Sequence, residues 1–416
     1  MPGSSLQLSP MLVAAFNTVM SARGITSVYQ PVVALADGEV VGYEALARGP
    51  SGTVWETPDM LVTYAAGVGR LPELDWICRA AACRGALAAG LPRGVPLFIN
   101  VEPASSRVPC PPDLRGVIDE ASARFEIVSE VTERALARDP AGLLAAIGAL
   151  RGRSSRIALD DVGADPSSQA FMPLMHPDVI KLDRSIVQHP EDRYSQDVVR
   201  VARNQADRTG AVIIAEGIET PEHLGTARSF GATLGQGYLF GRPGSLPRNV
   251  AVPHRRLPVL KVSDEEGDTP FTVASRHVAP MTVDRAGVAT AIQKLERRAI
   301  RTGRPGFLLS TFLEMDGFEE ARARYARLAG HRIITVVYAQ DMPVDPGSEL
   351  RGCPLTPHEP LAREWDVVAS SHPHTAGVFS RQCTGDPEHF ELIATDDRDV
   401  VLAAARPLIR RLAPLA

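Results

Sequence analysis

Five short apolar runs in the first half of the chain each end on a carboxylate, amide or ammonium side chain: Leu97-Phe-Ile-Asn100, Ile127-Val-Ser-Glu130, Ile157-Ala-Leu-Asp160-Asp161, Val179-Ile-Lys181 and Val212-Ile-Ile-Ala-Glu216. Each reads as a short buried strand with a polar stop. Segments of helical character separate them, and repeated strand and helix units of this kind favour a parallel barrel. In such a barrel the side chains at the C-terminal strand ends converge on one pocket. Gathering that many carboxyl groups in one place is prohibitive unless cations compensate them, so the pattern predicts a divalent metal site.

With 416 residues and 44% hydrophobic content, the chain is long enough for two domains. Its net charge of −5 comes from mixed charges without a basic block, which argues against DNA as a partner. The five cysteines form neither a CxxC pair nor a zinc-finger spacing and read as reduced thiols. No stretch is apolar enough to span a bilayer and the N-terminus lacks a signal-peptide pattern, so the expectation is a cytoplasmic protein without a membrane segment.

Turn formers from Gly241 onward and the acidic run Ser263-Asp-Glu-Glu-Gly-Asp268 mark a break. The expected division is a first domain over 1–248, a linker over 249–269 and a second, smaller mixed α/β domain over 270–416. In the second domain, Phe307 to Phe312, Arg332 to Tyr338, Trp365-Asp-Val-Val, Gly377-Val-Phe and Phe390-Glu-Leu-Ile-Ala read as strands. Val288 to Ile300, Phe318 to Leu328 and Asp397 to Leu412 read as helices.

Tyr29-Gln-Pro-Val-Val33 followed by Val41-Gly-Tyr-Glu-Ala-Leu-Ala-Arg48 resembles the opening of the EAL domain, the bacterial hydrolase of the second messenger cyclic di-GMP. The resemblance continues in order through Asn100, Glu130-Val-Thr-Glu133, Asp160-Asp161, Lys181-Leu-Asp183, Glu216-Gly-Ile-Glu-Thr220 and Gln236-Gly-Tyr-Leu-Phe-Gly-Arg-Pro243. It implies a TIM-like barrel with an irregular, antiparallel first strand, a two-metal hydrolysis of cyclic di-GMP to linear pGpG, and a homodimer. By the same resemblance, Glu44, Asn100, Glu130 and Asp160 ligate one ion, Asp160 and Asp161 lie between the two ions, and Glu216 serves the pair and its water. These oxygen donors suit magnesium or manganese.

Lys181 is implied to hold the water and to act catalytically with Glu216 and Glu44. Arg48 reads as a phosphate contact, because its planar fork can make paired bonds to phosphate oxygens. Gln30, Leu46, Asp183 and Gln236 are implied to contact the nucleotide. Glu133 and Glu219 are implied to fix a neighbouring loop and the metal ligands. Asp75 sits where the family carries an acidic residue, with a helix cap or a surface acid as its plainer reading. His372 and His374 flank a proline without a third nearby ligand and read as a loop rather than a metal site.

After the paired aspartates the family usually reads Asp-Asp-Phe-Gly-Thr-Gly-Tyr-Ser-Ser, whereas this chain has Asp160-Asp161-Val162-Gly163-Ala164-Asp165-Pro166-Ser167-Ser168. Pro166 fixes its own φ and biases Asp165 toward extended backbone. Three readings stay open on sequence: a hydrolase regulated by the second domain, a catalytically silent cyclic di-GMP receptor, and a scaffold. The second domain weakly resembles the DICT sensory domain, which names neither its signal nor its partner.

Overall fold

The computed structural model describes residues 10–132, 139–153, 155–164, 171–260, 269–300, 306–330, 333–371 and 374–412, with backbone only at 299 and 300. Glu133, His372 and residues 165–168 of the divergent loop lie outside the described residues.

Eight strands close a barrel in chain order: β1 (Thr26–Ala34), β2 (Val40–Arg48), β3 (Pro96–Asn100), β4 (Glu126–Thr132), β5 (Arg156–Val162), β6 (Val179–Leu182), β7 (Val212–Ala215) and β8 (Leu234–Gly235). β1 runs antiparallel to both β2 and β8, and every other neighbouring pair is parallel. This is the barrel with a reversed first strand that the resemblance implied.

The interior is filled by Val32, Ala34, Val41, Phe98, Val128, Ala158, Val179, Ile214, Leu234 and Leu257. Strand side chains repeat with a period of two, so the residue two places further toward the mouth faces the same way. Asn100, Glu130, Asp160, Lys181, Glu216 and Gln236 each stand two residues beyond one of these interior positions. On the reversed β1 the counterpart is Gln30, two residues before Val32. Gly42 leaves room for this layer: a Cβ there would lie 2.7 Å from the Pro96 carbonyl oxygen and 3.2 Å from the Phe98 ring.

The second domain is built on a seven-stranded mixed sheet. Its strands are β9 (Met281–Asp284), β10 (Gly306–Thr311), β11 (Ile333–Gln340), β12 (Arg351–Leu355), β13 (Val367–Ser371), β14 (His374–Cys383) and β15 (Asp386–Thr395), in spatial order β12-β11-β10-β13-β14-β15-β9. β10, β11 and β12 are parallel, and the remaining pairs are antiparallel. Helices Arg285–Ile300 and Met315–Ala329 cover one face through Val288, Ile292, Phe318 and Tyr325. Helices Pro270–Ala274 and Arg398–Ile409 cover the other, the latter capped by Asp397, which accepts from the amides of Asp399 and Val400.

That second face also meets the barrel. The crossover between β5 and β6 contains a helix of only four residues, Met172–Met175. Helix Arg398–Ile409 packs against it, and one continuous core joins barrel residues such as Phe171, Met172 and Ile180 to Phe307, Leu309 and Leu408. Phe171 and Phe307 stack with ring centroids 5.2 Å apart and planes at 3°. The buried Arg406 donates to the Leu174 carbonyl at 3.4 Å.

The expected linker is not a free tether over its first half. Leu257 plugs the barrel floor, the Arg156 guanidinium donates to the carbonyls of Leu257 and Pro258, and the Leu260 amide donates to Asp178. Asp178 is itself fully buried, accepts from the Ile157 amide and pairs with Arg151 at 3.3 Å. Residues 254–260 of this polar, turn-rich stretch form a strap lying on the strand starts.

Because the two domains share one core, a Phe307→Ala substitution should destabilise both together by about 3–5 kcal/mol. Calorimetry of the full chain should show one transition shifted down, whereas a shift confined to a separate second transition would contradict the shared core.

Candidate active site

The polar layer at the barrel mouth converges on Lys181, whose side chain is 1% exposed. Its Nζ lies 2.7 Å from Glu130, 2.8 Å from Asp160, 2.7 Å from Glu216 and 3.6 Å from Glu44. Gln236 bridges the strands at the barrel seam, donating to Gln30 Oε1 at 3.0 Å and to Glu44 Oε2 at 2.5 Å. Gln30 in turn donates to the Gly241 carbonyl at 3.0 Å.

Asp160 and Asp161 are consecutive, and in a regular strand they would point to opposite faces. Asp161 instead takes φ +57°, and the pairing of β5 with β6 slips between Leu159 and Val162. The left-handed residue turns both carboxylates to the mouth, a conformation that Asp tolerates better than most side chains. Gly163, at φ +106°, follows, and a Cβ there would meet Ile186 at 2.6 Å.

Two sets of carboxylates are close enough to share ligands: Glu44, Glu130 and Asp160, and Asp160, Asp161 and Glu216, the oxygens of each set lying within 4.8 Å of one another. Asp160 belongs to both. Four of these five carboxyl groups, Glu44, Glu130, Asp160 and Glu216, surround the Lys181 ammonium. Burial pushes the Glu130 carboxyl well above its ordinary range, with Glu44 adding to the shift and Lys181 opposing it. Burial likewise raises Glu216 to about 8, again against Lys181. Burial disfavours the Lys181 ammonium, but Asp160, Glu130, Glu216 and Glu44 outweigh it and hold its pKa well above normal.

The donor set fits divalent cations. Glu130 is 0% exposed, yet its Oε2 has no hydrogen-bond partner, and Asp160, Glu44 and Glu216 offer further hard oxygens around it.

Above this layer opens a cleft of about 410 Å³ lined by Gln30, Glu44, Leu46, Asn100, Asp160, Asp161, Asp183, Glu216, Glu219 and Gln236 among others. The Asp183 carboxylate also caps the helix Arg184–Gln188 by accepting from the Ser185 amide at 2.9 Å. Glu219 is exposed at the rim, where its amide donates to His223 Nδ1 at 3.3 Å. Arg48 stands apart from the cleft lining, and its guanidinium donates to the Ala47 carbonyl at 2.7 Å.

Arg184 and Tyr238 line the cleft although the sequence reading assigned neither a role. Both had a signal: Arg184 directly follows Lys181-Leu-Asp183, and Tyr238 stands inside the run from Gln236 to Pro243. Arg242 lies 4.1 Å over the Tyr238 ring. Asp75 is neither a cap nor a surface acid, because it is buried within helix Leu71–Ala88, accepts from the Glu102 amide at 2.9 Å and faces Arg79 at 3.6 Å.

Residues 13–243, more than half of the chain, match the model of the EAL domain. The chain belongs to the EAL-domain family. Residues 271–382 match the DICT model, a sensory domain in diguanylate cyclases and two-component systems. The cyclic di-GMP phosphodiesterase NbdA of Pseudomonas aeruginosa is 32% identical over 222 residues, covering 52% of this chain and 28% of that protein. The probable cyclic di-GMP phosphodiesterase PdeB of Escherichia coli is 31% identical over 232 residues, covering 54% of this chain and 43% of that protein. The match therefore spans less than half the length of either relative. A solved complex of Klebsiella pneumoniae BlrP1 with manganese and cyclic di-GMP is 28% identical, with a TM-score of 0.46 over 53% of this chain and 56% of that one. The tripeptide that names the EAL family is Glu44-Ala45-Leu46 on β2.

Two consequences are measurable on the metal-free protein. Lys181→Met removes the ammonium that pairs with Glu44, Glu130, Asp160 and Glu216 and should cost about 3–5 kcal/mol. Manganese should then raise the melting temperature of the variant more than that of the parent. Folded Glu216 keeps its proton up to about 8, while the unfolded chain releases it near 4.5, so the folded state binds more protons between these values. The melting temperature of chelator-treated protein should accordingly fall as pH rises from about 5 to about 8, with divalent cation reversing the loss at the alkaline end.

Proposed function

We propose that the barrel hydrolyses cyclic di-GMP to linear pGpG using two divalent cations, magnesium or manganese. The observation that carries this reading is the pair of overlapping oxygen-ligand sets sharing Asp160, set at the strand ends of an EAL-family barrel. The names of the relatives at 32% and 31% identity agree with it. Glu44, Asn100, Glu130 and Asp160 would hold one cation and Asp160, Asp161 and Glu216 the other. Bound there, the cations supply an acidified water and neutralise charge on the phosphodiester during in-line displacement.

The rest of the work falls to the chain. Lys181 keeps the carboxylates of four strands together before the ions arrive, then donates to the attacking water and to the developing negative charge. Gln236 and Gln30 hold Glu44 in place from the seam of the barrel. Leu46, Asp183, Gln30 and Gln236 border the dinucleotide, and Arg48 reaches a phosphate after releasing the Ala47 carbonyl. Glu219 supports the loop that follows Glu216, and Glu133 has the equivalent part beyond Glu130. The second domain, stacked on the segment between the Asp160–Asp161 strand and the Lys181 strand, regulates this barrel.

A second reading, a receptor that binds cyclic di-GMP without cleaving it, is favoured by one observation: Ala164, Asp165 and Pro166 replace the threonine, second glycine and tyrosine usual after the paired aspartates. Incubation of the full chain with cyclic di-GMP and magnesium or manganese, followed by chromatography, separates the two. The hydrolase reading expects pGpG, with at least a hundredfold loss of rate in Glu44→Ala, since a metal ligand and its strand-seam contact go together. Retained binding with no product in the parent protein supports the receptor instead.

A further inference from the structure

We propose that the floor of the barrel, opposite the catalytic mouth, holds a second binding site for a small organic anion: a phosphate or carboxylate carried on an apolar or planar body. This goes beyond the hydrolase reading and does not depend on it.

The site is a cavity of about 530 Å³, within the range of about 300–1,000 Å³ usual for small-molecule pockets. Its apolar wall is formed by Leu35, Val41, Val212, Leu234 and Leu257, and its charged side by Arg228, Arg255 and Arg256. Among the described residues no carboxylate lines it. Arg228 directs Nε and Nη2 at the Leu35 carbonyl, a neutral acceptor that leaves the guanidinium charge uncompensated. Arg256 makes no hydrogen bond or ion pair among the described residues, and Glu126, whose charge it feels, is already paired with Arg156 at 2.6 Å. Arg255 is partly neutralised from outside the cavity, by Asp37 at 2.8 Å and Glu39 at 3.9 Å. Three guanidinium groups against an apolar wall match an anion with a hydrophobic body, and their forked donors suit phosphate or carboxylate oxygens.

The cavity is also a joint. Arg255, Arg256 and Leu257 belong to the strap, which is tied to the β1–β2 turn by the His254 amide donating to Glu39 and to the start of β6 by Leu260 donating to Asp178. Arg228 and Leu35 belong to the barrel proper. An anion bridging Arg228 and Arg256 clamps strap to barrel just before the chain enters the second domain.

The test is calorimetric titration of the metal-free full chain with AMP and, separately, with octanoate, which distinguishes a phosphate from a carboxylate head. We expect saturable one-to-one binding of at least one probe, weakened about tenfold or more by Arg256→Gln and by Arg228→Gln, and unchanged by Glu44→Ala. Arg256→Gln breaks no described hydrogen bond or ion pair, and an unchanged melting temperature separates its loss of binding from a folding defect. Circular dichroism checks the fold of Arg228→Gln, which loses its bond to Leu35. Absence of binding by both probes overturns the proposal. So does parent-like affinity in Arg256→Gln, or loss of probe binding in Glu44→Ala, which would place the probe in the cleft at the mouth.

Discussion

A single ammonium group surrounded by buried carboxyls governs the architecture of this barrel mouth. Lys181 is nearly inaccessible to water, and four strands place Glu44, Glu130, Asp160 and Glu216 around it. Removing so many acidic groups from water costs far more than one lysine returns, so in the metal-free chain part of the site stays protonated and Glu216 is raised to about 8. In the proposed metal site, cation binding and the tuning of these carboxyls would be one process, because ligating oxygens give up their protons when a cation binds.

The surrounding fold supplies rigidity where this charge demands it. Glutamine side chains from β1 and the end of β8 lock the seam at which the reversed first strand closes the barrel. The left-handed turn at Asp161 lets one strand present two carboxylates, which is how Asp160 comes to be shared between both ligand sets. Strain of this kind persists only where packing over-determines it, and Gly163 packed against Ile186 just beyond is part of that constraint.

The second domain enters the same mechanics from the side. Between the strand of Asp160 and Asp161 and the strand of Lys181, the described residues form the short helix Met172–Met175, and the sheet and last helix of the second domain pack against it. Phe307 on Phe171 and Arg406 on Leu174 tie that domain to the segment leading into Lys181. At the floor, Asp178 joins the starts of β5 and β7 to the strap through the Ile157 amide, its own carbonyl and the Leu260 amide.

The sequence by itself determined the parts whose signal is local. Apolar runs ending in polar residues located β3 to β7, and the period of two along a strand explains why Asn100, Glu130, Asp160, Lys181 and Glu216 share a face with interior residues such as Phe98, Val128 and Val179. The ordered motifs assigned the family, and the main strands and helices of the second domain were legible from periodicity. Tertiary structure alone decided the rest. The two-residue β8 and the exposed edge strand β9 carry almost no apolar pattern and exist because a neighbour pairs with them. The turn of Arg48 toward Ala47, the burial of Asp75 and the collapse of the expected linker onto the floor depend on partners distant in sequence. Periodicity tells which face of an element is apolar. It cannot tell which other element that face will meet, because closure of the barrel and stacking of the second domain are set by hydrogen-bond register and shape across hundreds of residues.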